Sequence, residues 1–467
     1  MLNPEVFFAP ISELAPDIKA GKLSSLELTR GFLERIEKFA PRFNAYEKVT
    51  ADVALEQARQ ADAEVKSKKW RGPLHGVPFG AKDLLDTRGI ATAWGTSFLR
   101  DRVPQEDATV IRLLRDAGAV MLGKTAMVEF AGCLGYRFAN ASATGPGRNP
   151  WNPDRWTGGS SSGSGAAVAA GLATFAIGTE TWGSILCPAA FCGLSGMRPT
   201  YGLVSRAGGM VGAYTFDKIG PLARTADDCR NVLRVISGPD PRDVTSASER
   251  VSMDRRSGRP VSTLRAALVP LDWSKTGEPE VKAAFEGAVA ELRAAGLAME
   301  ETPLPEFPAS EVAGLLIGLE ALAAFEPFLN DGRAKQLVDD VAWRQREIAE
   351  PVTGADAMKA ERMRYELQRK VADFFGQYDV IVTPNFKSVA PPIDRDLNET
   401  LPYADPVGAL GAACGLPSIA LPCGFGKDHL PAGFQIMGAP FEEATLLDLG
   451  DLYQSRTKHH LSRPTIA

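Results

Sequence analysis

Histidine is scarce in this chain of 467 residues: there are four, and His429, His459 and His460 lie in a polar turn or the polar C-terminal tail. Only His75 stands near residues of chemical interest, so a Ser-His-Asp arrangement has little to be built from. The six cysteines, Cys133, Cys187, Cys192, Cys229, Cys414 and Cys423, include no C-x-x-C pair and have no histidine at ligand spacing. That spacing argues for packed thiols over a metal site or a disulfide framework, and no metal and no cofactor is expected. No run of lysine and arginine is long enough to grip nucleic acid or an anionic membrane, and the net charge is −5. The longest apolar stretch, Ala166 to Ile177, is too short to span a bilayer and is broken by Gly171. The opening MLNPEVFFAPISELAPD lacks the basic and apolar regions of a secretory leader, so a cytoplasmic protein acting on small or neutral partners is expected.

With 45% hydrophobic and 23% charged side chains, the chain can bury the core of one large domain spanning 1–467. Region 1–70 reads as helical. Ser24-Ser25-Leu26-Glu27 has the form of a capping box, followed at helical spacing by Leu28, Phe32, Ile36 and Phe39, then by an alanine-rich polar helix over 51–68. Leu74, Val77, Phe79 and Ala81 then form a strand-like segment ending in Lys82-Asp83. From there strands and helices alternate: a helix capped by Asp107 and stopped by Gly118, the strand AVMLGKT, and later RAALVP, a helix from Glu280 to Ala295, YDVIVTP and a helix in EEATLLDLGDLYQ. Region 238–263, polar and rich in turn formers, reads as a surface connection. The alternation predicts an α/β fold, a large mixed twisted β-sheet flanked by α-helices.

The stretch TGGSSSGSGAAVAAGLATFAIGTETWGS, from Thr157 to Ser184, carries the chemistry. It has no lysine where a phosphate-cradling Walker loop needs one, and it runs into an apolar helix and strand as a flexible linker would not. Glycines for close packing and serines for capping remain one reading. The other is a nucleophile site: in GTETWGS a strand leads into a tight turn, where successive backbone N–H groups can converge beside a serine hydroxyl as an oxyanion hole does. Such a serine needs a base, and Lys82 in the apolar, glycine-bounded GVPFGAKDLLD can serve if burial lowers its pKa. Lys82-Asp83 also fits a plain surface turn.

These segments together resemble the amidase signature family, serine hydrolases with a Ser-Ser-Lys triad. The carrying motifs are GVPFGAKD, KTAMVEFA, RNPWNPDR, GGSSSGSGAAVAAG, GTETWGSI, PAAFCG, GMRPTYGLVS, FDKIGPLAR, VTGADAMKAERMR before DVIVTP, GLPSIALPCGF and LPAGFQIMG. They cover nearly the whole chain, with the signature core at 75–235 and a less similar segment at 300–365 that includes Leu315, Leu316, Leu319, Phe325, Phe328 and Trp343. That segment either covers a pocket or packs in the core. The resemblance implies Ser184 as nucleophile, Ser160 as bridging serine, preceded in the family by a cis peptide bond, and Lys82 as base. It implies oxyanion-hole N–H groups from Thr181, Trp182, Gly183 and Ser184, with Ser161 and Thr179 in support. Met127, Trp182 and Cys187 are the candidates for a substrate pocket.

The chain departs from the family at three places. Trp182 stands where glycine is usual, and its indole either lines the pocket or turns into the core. Glu180 replaces an aspartate. Cys187 stands where members that bind a free carboxylate often carry an arginine, which removes a bidentate clamp. The resemblance with these departures implies an amidase of neutral or apolar small substrates, with esters, anilides and carbamates open to the same acyl-transfer machinery. The alternatives are the glutamine-hydrolysing component of an amidotransferase and a non-catalytic interaction partner. Formation of a homodimer is left open.

Overall fold

Short apolar runs bounded by glycine, proline or polar turns form the strands of one eleven-stranded sheet. The computed structural model describes residues 2–254, 260–275, 277–341, 352–401 and 405–466. The strands are β1 (Tyr46–Val49), β2 (Pro78–Lys82), β3 (Val120–Thr125), β4 (Arg148–Asn149), β5 (Asn152–Trp156), β6 (Phe175–Glu180), β7 (Ser195–Arg198), β8 (Lys218–Ala223), β9 (Arg265–Leu268), β10 (Ala298–Glu301), β11 (Val380–Pro384), β12 (Ser418–Phe425) and β13 (Pro431–Gly438). The sheet order is β1-β3-β2-β6-β8-β7-β12-β13-β11-β9-β10, while β4 and β5 form a separate two-stranded ribbon. Parallel and antiparallel pairs mix: β6 runs parallel to β2 and antiparallel to β8. The middle strands β2, β6, β7 and β8 are buried along their whole length, because helices cover the sheet and apolar residues can occupy every position.

This topology places the candidate residues. Ala81 of β2 is in register with Ile177 of β6, and the strands are parallel, so Lys82 at the end of β2 lies beside the end of β6, where Thr179 and Glu180 lead into the Ser184 turn. The helix Ser162–Ala169, whose small side chains are all buried, packs against the same sheet and brings Ser160 and Ser161 to this edge from its N-terminal side.

Helix Ser25–Phe43 starts at the predicted cap, with Ser24 Oγ accepting from Glu27 N at 3.2 Å, but only this half of the expected capping box forms among the described residues. Asp107 does not cap the next expected helix. Thr109–Asp116 starts after Ala108 without a side-chain cap, because the Asp107 carboxylate is taken by the Arg88 N–H at 2.8 Å and by Arg115. In the segment 300–365, helix Ala309–Ala324 packs on helix Gly354–Phe375. Leu316 and Phe325 are core residues, and Phe325 stacks on Phe130 with ring centroids 4.2 Å apart. Residues 342–351, Trp343 among them, lie outside the described residues. Among the described residues no helix is long and apolar enough to cross a membrane.

Candidate active site

Lys82 is fully buried, 0% exposed, and every partner of its ammonium is an oxygen of the two serine- and threonine-rich segments. Its Nζ donates to Ser160 Oγ and to Thr179 Oγ1, each at 2.8 Å, and more weakly to Thr179 O at 3.5 Å. Loss of hydration disfavours the charged amine, and the nearby Cys133, Asp217 and Glu180 offset this only in part, so the pKa falls from 10.5 to about 7. Ser161 Oγ donates to Thr179 O at 3.2 Å and accepts from Thr179 N at 3.3 Å, tying the start of the small-residue helix to the end of β6. The Gly159–Ser160 peptide bond is cis. The two glycines before Ser160 admit no side chain: a Cβ at Gly158, where φ is +84°, would lie 2.8 Å from Pro188 N, and one at Gly159 would lie 2.8 Å from Trp156 Cζ2.

The turn after β6 is held by a buried ion pair. Glu180 accepts from Arg198 Nη1 at 2.8 Å and from the N–H groups of Ile185 and Leu186 at 2.7 and 2.9 Å, which anchors the start of helix Leu186–Cys192. Burial pushes the Glu180 carboxyl up, but Arg198 and these N–H groups outweigh it and hold the pKa below the ordinary value. Among the described residues, the N–H groups of Trp182, Gly183 and Ser184 donate to no protein acceptor. Gly183 takes φ +86° while Trp182 lies outside the left-handed region, so a tryptophan is accommodated there without backbone strain. The carbonyl of Ser184 accepts from Ser161 N at 3.3 Å, which locks the two serine segments together. Its hydroxyl makes no hydrogen bond among the described residues, and such contacts commonly tighten only around a substrate.

Ser184 opens onto a cavity of about 350 Å³. Its wall is largely apolar, with Tyr136, Trp156, Trp182, Cys187, Phe386 and Leu397 among the lining residues. Trp182 is 37% exposed and its indole Nε1 crowds Gly408, so the ring borders the cavity and does not turn into the core. Cys187 lines the cavity as a thiol, its pKa pushed up by burial. Ile317 is the contribution of the 300–365 segment to this wall among the described residues. Met127 is a correction: it is fully buried in the main core and does not line the cavity, because the chain reverses through Phe130 and Ala131, both at positive φ, and delivers Ala131, Gly132 and Cys133 to the wall instead.

Several site residues carried no sequence signal of their own. Asp217 takes the Thr181 hydroxyl and the N–H groups of Gly212 and Ala213, and Lys218 Nζ donates to Thr181 O at 3.4 Å. The charged pair Asp217-Lys218 heading the buried strand segment of FDKIGPLAR could have flagged them. Asp405 lines the cavity, accepts from Val407 N at 3.0 Å and Gln435 Nε2 at 2.6 Å, and has its pKa pushed up by burial to about 6. His75 lines a different cavity with Glu64 and Arg71, its Nε2 3.2 Å from Glu64 Oε2. All six cysteines are free, and no cluster of metal-ligating side chains occurs among the described residues.

The profile of the Amidase family matches residues 27–447. The chain is 38% identical to a glutamyl-tRNA(Gln) amidotransferase subunit of Moorella thermoacetica, over 99% of either chain. It superposes on the peptide amidase of Stenotrophomonas maltophilia with a TM-score of 0.83 at 31% identity, covering 97% of this chain and 98% of that one. It superposes on a glutamyl-tRNA(Gln) amidotransferase subunit of Thermotoga maritima with a TM-score of 0.80 at 27% identity, covering 98% and 96%. The chain therefore belongs to the amidase family, and its mixed sheet flanked by helices is the amidase-signature fold.

Proposed function

We propose that the chain is a serine amidohydrolase that cleaves neutral amides with an apolar or aromatic group next to the scissile bond. Ser184 Oγ attacks the amide carbon while its proton passes through the Ser160 hydroxyl to the neutral amine of Lys82. The carbonyl oxygen, now negative, is received by the N–H groups of the turn Thr181, Trp182, Gly183 and Ser184. The proton then returns along the same path to the leaving nitrogen, the C–N bond breaks, and an acyl group stays on Ser184. Water, activated by the same relay, releases the acid. Thr179 and Ser161 hold Lys82 and Ser160 in line. The observation that carries the reading is the buried Lys82, bonded at 2.8 Å to both Ser160 and Thr179, with burial lowering its pKa to about 7. The aromatic wall of the cavity supports the substrate class, and esters, anilides and carbamates fit the same chemistry.

A second reading, the glutamine-hydrolysing component of an amidotransferase, is favoured by the 38% identity to the Moorella thermoacetica protein. The purified chain alone should release ammonia from neutral aryl and alkyl amides, and the Ser184→Ala variant should not. Turnover of glutamine alone, and only with partner proteins added, would give the second reading preference.

A further inference from the structure

Asp217 and Lys218 are buried, 9% and 2% exposed, and neither lines the cavity onto which Ser184 opens. Both nevertheless reach the turn that bears Ser184. Strand β8 runs antiparallel to β6 with Lys218 opposite Glu180, so the two residues arrive beside Thr181, the first residue of that turn. Thr181 is held there at two points. Its hydroxyl donates to Asp217 Oδ1, and its carbonyl accepts from Lys218 Nζ at 3.4 Å. The holders are themselves fixed: Asp217 Oδ2 accepts from the N–H groups of Gly212 and Ala213 at 2.8 and 3.1 Å, and Lys218 Nζ also donates to Phe216 O. The carbonyl and the N–H of a trans peptide point in opposite directions. The Thr181–Trp182 bond is trans, so a carbonyl drawn toward Lys218, which lies off the cavity, turns the Trp182 N–H the other way, where it meets no protein acceptor among the described residues. A donor on the carbonyl also polarises the peptide and strengthens its N–H as a donor. An amine donates in either protonation state, so the hold persists although burial lowers the Lys218 pKa to about 7.

We infer that Asp217 and Lys218 are positioning residues: from outside the cavity they fix the Thr181–Trp182 peptide so that the Trp182 N–H is aimed at the oxygen that turns negative when Ser184 adds to the substrate carbonyl. This rests on the reading of Ser184 as nucleophile. In that step the bond from Ser184 Oγ to carbon forms, the carbonyl π pair moves onto oxygen, and the hydroxyl proton passes through Ser160 to Lys82. The uncharged carbonyl gains little from an aimed N–H and the oxyanion gains much, so the two residues should govern kcat and leave substrate binding alone.

Lys218→Met removes the grip on the carbonyl, and Thr181→Val removes the hydroxyl that Asp217 holds; each keeps the side-chain volume nearly constant. Phenylacetamide is the substrate. Benzyl trifluoromethyl ketone is the probe, since its carbonyl takes Ser184 Oγ to give a hemiketal oxyanion in the same turn. In each variant kcat for phenylacetamide should fall about 10- to 100-fold and Ki for the ketone should rise by a similar factor. Phenylacetamide affinity, measured by calorimetry on the same variants carrying Ser184→Ala, should stay within about twofold. A purely structural role would weaken ketone and amide alike. An unchanged kcat, an unchanged ketone affinity, or a parallel loss of amide binding would overturn the inference, and Thr181→Val decides by itself if Lys218→Met does not fold. Wild-type protein that neither hydrolyses phenylacetamide nor binds the ketone would overturn the hydrolase reading and this inference with it, whereas an active wild type matched by both variants would overturn this inference alone.

Discussion

Replacing Lys82 by Met should make the protein more stable at neutral pH and less stable at alkaline pH. The fall of the Lys82 pKa from 10.5 to about 7 means that the unfolded chain binds this proton more tightly than the folded one does. Below about pH 7 both states are protonated and the folded state carries the whole desolvation deficit, about 4–5 kcal/mol at about 1.4 kcal/mol per pH unit. As pH rises from 7 toward 10.5 the unfolded chain loses its proton too, and the deficit vanishes. Against it stand the two 2.8 Å hydrogen bonds to Ser160 and Thr179, together about 2 kcal/mol. Lys82→Met should therefore exceed wild type by about 2 kcal/mol near pH 7, match it near about pH 9, and fall below it by about 1 kcal/mol at about pH 10. Urea unfolding followed by tryptophan fluorescence at several values between pH 7 and 10 measures the difference directly. A difference that stays constant across that range would mean that the folded-state amine is not desolvated, and the argument for Lys82 as a base would lose its physical ground.

Ser160→Ala and Lys82→Ala should each leave only a trace of the turnover, and the double variant should be no slower than the worse single one, because both break one proton path; steady-state assays of the three proteins decide it. In wild type kcat/KM should rise with pH and level off above about 7, as Lys82 loses its proton; the pH profile should keep this limb in His75→Asn, whose ring faces Glu64 in a separate cavity, and lose it in Lys82→Ala. Gly408→Ala would set a Cβ 2.4 Å from Trp182 Nε1, so the part-exposed indole should shift and KM for aromatic amides should change while the urea midpoint moves little. Glu180→Ala should cost about 3–5 kcal/mol in urea unfolding, because it strands the buried Arg198 guanidinium along with two N–H groups of the Ser184 turn.

Much of the order of elements was legible from local patterns, and Lys82 closing an apolar strand and Ser184 in a glycine turn after a second strand carried local signals, whereas Ser160 and the roles given to all three residues came from the family resemblance. Their convergence follows from the parallel pairing of β2 with β6, which periodicity alone does not disclose. Of the cavity wall, Trp182 and Cys187 were legible from the family motif and the rest was not. Tyr136, Trp156, Phe386 and Leu397 come from segments far apart in sequence, gathered by the sheet order and by the Trp156 N–H on Pro391 O. Met127 shows the same limit from the other side, since membership of a motif beside the site says nothing about which way a reversing chain points its side chain. Asp107 had the composition of a cap, and its carboxylate found Arg115, a stronger partner than a helical N–H.

Burial alone does not mark a lysine as a base, and this molecule supplies the controls. Lys124 and Lys218 are as deeply enclosed as Lys82, and desolvation lowers the pKa of each, that of Lys218 also to about 7. Lys124 faces the Asp83 carboxylate at 3.9 Å and the hydroxyls of Thr87 and Thr92, neither of which lines the cavity of Ser184. Lys218 is held by the carbonyls of Thr181 and Phe216, which accept hydrogen bonds and have no proton to pass on. Lys82 differs in the chemistry of its partner: a serine hydroxyl can give a proton to the amine and take another from its far side in the same step. Among these three lysines it alone stands next to a group that both donates and accepts and that adjoins the turn bearing Ser184. The low pKa makes proton uptake possible at neutral pH, and in the proposed mechanism the Ser160 hydroxyl gives it a direction.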